Sequence, residues 1–210
     1  MKKHIFPVTF FLISVISWLI CYPSIANQVP IHWGVDGPDN YASKGSAFLI
    51  INGLIIFIYI MMMAVPKIDP KKKNYQYFSR GYMFIVNAMV VLFFVLSMLT
   101  LMIGLGYNIP MERLVGPFVG LLFIVLGNYL QQAKPNFFFG MRTPWTLSNE
   151  EVWRKTHRLS SKLFIVGGLL IILTIFLPSS WEIYVILTVV VIISLIPYIY
   201  SYLLFRKLED

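Results

Sequence analysis

Charge is scarce in this sequence: 12% of its 210 residues are charged, and a soluble domain carries about twice that share. Cysteine is scarcer still. Cys21 stands alone, which excludes an intramolecular disulfide and any site built from paired thiolates. The three histidines, His4, His32 and His157, fall in separate segments and make a poor metal cluster. No glycine-rich phosphate loop follows a strand. No metal and no cofactor is expected. Apolar side chains are abundant, at 58%, and they come in long blocks that leave no polar face for water.

A helix needs roughly 17 to 25 mostly apolar residues to cross the hydrocarbon core. Six blocks approach that length: Ile5–Cys21, Ala47–Pro66, Gly81–Gly106, Leu114–Leu130, Leu163–Pro178 and Ile183–Phe205. None holds an Asp, Glu, Lys, Arg or His. With the N-terminus inside, the inner segments carry fifteen Lys and Arg, and the outer ones only Lys44 and Arg113. That is the asymmetry of the positive-inside rule, so the formal charge of +8 is topological and no direct nucleic-acid partner is expected. The expected fold is an all-α integral membrane protein with six transmembrane helices and both ends in the cytoplasm. Trp18 and Trp181 then fall near the outer interface, and Trp145 and Trp153 near the inner one. Lys2, Lys3 and Ser24-Ile25-Ala26 loosely mimic a secretory signal, but the apolar run is long for one. The first block is read as a retained span.

Two hydrophilic segments exceed what connection requires. The outer one, residues 22–46, closes an N-terminal two-span region of residues 1–66. Within it Val29, Ile31, Trp33 and Val35 alternate with non-aliphatic positions, which predicts a short extended run. Asp36-Gly37-Pro38-Asp39 is turn chemistry, since Gly permits positive φ and Pro fixes φ near −65°. This loop is either a compact cap on the membrane surface or a receptor surface bearing His32, Trp33, Asp36, Asp39 and Lys44. By contrast, the Lys-rich loop Lys67–Arg80 is read as an anchor to anionic lipid heads.

The inner segment, residues 131–162, lies in a four-span region of residues 81–205. Ser148 followed by Glu151 is a capping-box signature, so a helix should begin near Asn149 and lead along the membrane surface into the fifth span. Glu150 with Arg154 and Glu151 with Lys155 stand one turn apart, the favourable order for ion pairs. As an amphipathic anchor this helix would set Arg154, Arg158 and Lys162 against lipid phosphates. Arg142, just before Pro144, calls for a fixed hydrogen-bond partner such as a carbonyl at a helix end.

Catalysis finds little support. Glu150-Glu151 near Arg154 is only superficially similar to the paired glutamates of intramembrane CAAX-type proteases, because Lys155 stands where Arg is wanted and no span holds a His. Ion-coupled carriers hold ionisable groups at mid-membrane, whereas these spans offer Ser17, Asn52, Asn87, Ser97, Asn128, Thr174 and Ser194. Asn52-Gly53 and Gly167-Gly168 occupy matching places in two three-span halves, as interrupted helices of a carrier would. Close helix packing is the preferred account of these glycines. A small-solute permease or a membrane scaffold subunit stays open as the alternative.

Gly140-Met141-Arg142-Thr143-Pro144-Trp145-Thr146-Leu147, with Val152-Trp153-Arg154-Lys155-Thr156-His157-Arg158, closely resembles the signature of the SdpI family of bacterial membrane proteins. Pro30-Ile31-His32-Trp33, Gly37-Pro38-Asp39 and Ser43-Lys44 are similar to the domain of unknown function that commonly precedes it. Ser161 departs from the Gly that relatives often carry. The resemblance implies a multi-pass bacterial plasma-membrane protein that confers immunity to a secreted, membrane-damaging peptide toxin. It further implies a receptor that holds a small cytoplasmic autorepressor at the membrane. Neither role needs catalysis.

Overall fold

Hydrocarbon offers backbone N–H and C=O groups no partner but each other, so the apolar blocks must coil into helices. The computed structural model describes residues 2–34 and 37–209. Among them are α1 (Lys2–Cys21), β1 (Gln28–Gly34), β2 (Gly37–Ser43), α2 (Lys44–Ile68), α3 (Ser79–Gly104), α4 (Met111–Leu130), α5 (Pro144–Ser148), α6 (Glu150–Leu173) and α7 (Ser179–Glu209). Six helical segments, corresponding to all of these helices but α5, are long and apolar enough to cross a bilayer. Each falls on one of the expected blocks, and the fifth block runs past α6 into a 3-10 turn at Thr174–Phe176.

The bundle is held inside by small residues and neutral polar groups. Gly120 and Gly127 of α4 meet Gly168 and Ser161 of α6 so closely that a Cβ at Gly168 would lie 2.5 Å from the Gly120 carbonyl oxygen. Backbones can approach that far only where side chains are absent. Ser161, despite replacing the expected Gly, strengthens the contact by donating to the Gly127 carbonyl at 2.6 Å. Packing thus accounts for Gly168. A Cβ at Gly53 would meet nothing within 4 Å, and α2 and α6 run unbroken through both glycine sites, so neither helix is interrupted.

Across α1, α2 and α3, Ser14 Oγ donates to Asn52 Oδ1 at 2.7 Å, and Trp18 Nε1 donates to Ser97 Oγ at 3.0 Å. Trp18 is fully buried and Trp153 is 2% exposed. The aromatic-belt reading is therefore corrected for these two: each indole N–H finds a partner inside the protein, so the ring is core. Trp181 does remain exposed, and Trp145 packs on Tyr198 and Tyr202 of α7.

The expected surface helix before the fifth span is not a separate element. It is the first half of α6, continuous with the span. The cap that starts it is Asn149, whose side chain accepts from the N–H groups of Glu151 and Val152 at 2.8 and 3.1 Å. Ser148 instead donates to the Trp145 carbonyl and ends α5. The reciprocal capping box belongs to Thr143 and Thr146 at the start of α5. Lys155 pairs with Glu151 at 2.8 Å; among the described residues Glu150 and Arg154 make no salt bridge.

Candidate functional site

At one end of the bundle the antiparallel hairpin β1–β2 roofs a groove. The expected extended run becomes β1, and Gly37, at φ +111°, turns the chain where only glycine sits without strain. Irregular pairing around His32 brings Asp39 beside it, and the two side chains meet at 2.6 Å while both stay exposed. The hairpin is rooted by Val29 and Ile25 against Gly104, and by the Ala26 N–H donating to the Gly104 carbonyl at 2.8 Å. Lys44 serves this root, with its ammonium on the Tyr22 and Ile25 carbonyls, so it does not face the groove. Asp36 lies outside the described residues.

Beneath the hairpin is a cavity of about 640 Å³, lined by His32 and Trp33, by Ile50 and Leu54 of α2, by Phe93 and Thr100 of α3, and by residues of α4 and α7. Its walls are apolar apart from a few polar groups, the make-up of a ligand pocket. Two of those groups are carboxylates that sequence reading left out, Glu112 and Glu182.

At the opposite end the motif loop folds into a knot. Asn136, fully buried, accepts the N–H groups of Phe138 and Phe139 and the Tyr75 hydroxyl, and donates to the Lys134 and Phe139 carbonyls. Asp69, 2% exposed, accepts from Lys71 N–H at 2.6 Å, Phe137 N–H at 2.9 Å and Tyr75 Oη at 3.1 Å. The loop read as a lipid anchor is thus a structural partner of the motif: Asn74 also donates to the Pro135 carbonyl. Lys72 and Lys73 remain exposed.

His157 is decided by its neighbours. The Met141 N–H can only donate to Nε2, and the Trp153 carbonyl can only accept from Nδ1, so the imidazole is neutral with its proton on Nδ1. It stacks on Trp153 with centroids 4.0 Å apart, and the Trp153 indole donates to the Ala133 carbonyl. Gly140, at φ +107°, lies so close to the imidazole that any side chain there would collide with it. Arg142 finds a loop carbonyl rather than one at a helix end, donating to Phe137 at 2.6 Å. Thr143 bonds to Ser201 of α7 at 2.9 Å.

The structure therefore gathers Gly140, Arg142, Thr143, Trp153 and His157 into one knot. Pro144 opens α5, while Arg154 and Arg158 point outward and stay exposed. Arg154 borders a second hollow of about 550 Å³ with Glu150, Glu151 and Lys134.

Residues 132–201 match the model of the SdpI/YfhL protein family, and residues 9–63 match a domain of unknown function, DUF1648. Over all 210 residues the chain is 31% identical to Immunity protein SdpI of Bacillus subtilis (strain 168), covering 99% of that protein. This chain belongs to the SdpI family. No solved structure matches it. The SdpI-model stretch takes in the motif loop, α6 and most of α7, and the DUF1648 stretch takes in most of α1, the hairpin and most of α2. The groove draws on both: His32 and Ile50 come from one stretch, Glu182 from the other, and Phe93, Glu112 and Gly116 lie between them. The Bacillus subtilis relative is an immunity protein by name.

Sequence reading missed Asp69, Asn136 and Glu182. A signal existed for the first, because Asp69-Pro70 is a lone acid and a turn inside a run of lysines.

Proposed function

We propose that this chain protects its cell by capturing a secreted peptide toxin at the hairpin end, and that it relays capture to a cytoplasmic repressor. The hairpin end is taken as extracytoplasmic because nearly all Lys and Arg fall in segments of the other side. Residues 1–66 and 81–205 act as two units that share one groove. The observation that carries the reading is the apolar cavity beneath His32 and Trp33, which is large enough for a ligand and opens where a membrane-active peptide arrives. Capture needs no bond-making step. The toxin is withheld from the bilayer, and a shift among α4, α6 and α7 reaches the knot through Thr143 and His157. The repressor docks on the exposed basic side of α6, at Arg154 and Arg158. Lys72 and Lys73 rest on anionic lipid heads.

A toxin-sensitive strain expressing the chain should survive the producer's peptide. Survival no better than with empty vector, with the protein present in the membrane, would sink immunity to that toxin. For the relay, Arg154→Ala combined with Arg158→Ala should cut membrane recruitment of the repressor by about tenfold while insertion is unchanged. Undiminished recruitment rejects the docking surface. Arg142→Ala should also lower recruitment, but it is the less clean test because its guanidinium holds the Phe137 carbonyl.

A further inference from the structure

Glu182 is the anomaly of the hairpin end. It is 7% exposed and lines the apolar groove, with the Gly116 backbone beside it and the Arg113 guanidinium close enough to act on its charge but beyond salt-bridge reach. Its carboxylate lies against Gly116 of α4, where any side chain would take its space. Glu112, one turn before Gly116 on the same helix, adds a second carboxylate to the same wall. A first-turn acid favours the helix dipole, yet that interaction is available to an exposed side chain and gives no reason to bury one. A carboxylate enclosed by apolar walls gains most from a cation brought in by a ligand.

We propose that the groove takes an apolar peptide segment bearing one basic group, a Lys or Arg side chain or a free N-terminal amine, and that Glu182 is the counter-ion for it. This rests on the reading of the chain as a toxin-binding immunity protein, and names the chemistry of the bound segment. Ile50 and Leu54 of α2 and Ile183 of α7, all well exposed, form an apolar rim along which the flanking side chains enter. Glu112 draws the cation toward the groove, and Glu182 receives it at depth. Trp33 closes the roof over the apolar part.

Two synthetic twelve-residue Leu/Ala peptides serve as probes, one with a single central Lys and one with norleucine in its place. With the purified full chain in phosphatidylcholine nanodiscs, the Lys peptide should bind at least about tenfold more tightly than its neutral twin. Glu182→Gln, which keeps shape and removes charge, should erase that preference without changing affinity for the neutral peptide. Equal binding of the two peptides to the unaltered protein overturns the proposal, and so does a preference that survives Glu182→Gln. Displacement of the Lys peptide by added phosphatidylethanolamine but not by excess neutral peptide also overturns it, because the cation would then be a lipid amine. Cells separate the two readings. An unaltered chain that fails to protect defeats the immunity reading, whereas protection retained in full by Glu182→Gln defeats only the role of Glu182.

Discussion

Gly168→Val should lower the stability of the purified protein by about 3 kcal/mol, the upper part of the usual range for overpacking. The nearest atoms to a side chain at 168 are the Gly120 carbonyl oxygen at 2.5 Å, Ile124 Cγ1 at 2.8 Å and the Ile124 nitrogen at 3.0 Å. Two of these are backbone, so no rotamer change can make room and α4 must move away from α6. That movement would also stretch the Ser161 to Gly127 hydrogen bond farther along the same seam. Helix propensity predicts the opposite sign, since replacing a mid-helix glycine by alanine gains about 1 kcal/mol where space allows. Gly53 provides the contrast: nothing lies within 4 Å of a Cβ there, so Gly53→Ala should be neutral or stabilising. Unfolding in detergent with a denaturant series measures both. A Gly168→Val protein as stable as the parent would show that the two helices do not meet on their glycines.

Asp69→Ala should cost about 4 kcal/mol, because it leaves the Lys71 and Phe137 N–H groups without their acceptor and the Tyr75 hydroxyl with Asn136 alone to accept from it. The Tyr75 hydroxyl and the Phe137 N–H both point at Oδ2, and the Lys71 N–H points at Oδ1. Tyr75 also reaches Asn136, so the loss spreads into the turn that Asn136 organises. Asp69→Asn should cost roughly half as much. Its single carbonyl oxygen can still accept from Tyr75 and Phe137, but its amide then faces the Lys71 N–H as one donor facing another. Limited proteolysis gives the readout, with cleavage between residues 131 and 149 accelerated in the order parent, Asn, Ala. Equal cleavage in all three proteins would show that Asp69 does not hold the motif loop.

The six spans were legible because they contain no ionisable group, a property read from each block by itself. The first strand was legible for a similar reason, because alternation in Val29, Ile31 and Trp33 is a local signal, whereas Gly37, Pro38 and Asp39, expected as a turn, form the start of β2, which pairs with it. The start of α6 was legible to within one residue. Ser148 and Asn149 are both good caps, and the choice between them depended on α5 claiming Ser148 for the Trp145 carbonyl. Burial of Trp18 and Trp153 was not legible, because a tryptophan at a helix end suits an interface or a core equally well. What decides is a partner far along the chain, Ser97 for one and the Ala133 carbonyl for the other. Asp69, Asn136 and Glu182 were hidden in the same way. Each lies in a polar connection that reads as solvent-facing, and each is enclosed by an element distant in sequence. In the motif, the residue types stood out while their use did not: Thr143, Trp153 and His157 spend their polar groups inside the protein and Gly140 makes room for the imidazole, while Arg142, Arg154 and Arg158 stay exposed.

Because α6 continues without a break from Glu150 to Leu173, its polar turns and its lipid-embedded turns form one stiff body about 36 Å long. A spanning helix meets a thinner or thicker bilayer by changing its tilt. For most loops between spans such a tilt is absorbed in the connection, but here Trp153 and His157 ride on the rod itself and are bonded to Ala133 and Met141. Acyl-chain length thereby becomes a variable that sets the position of the motif loop. The same protein placed in short-chain and long-chain lipids would present that loop at different heights above the membrane.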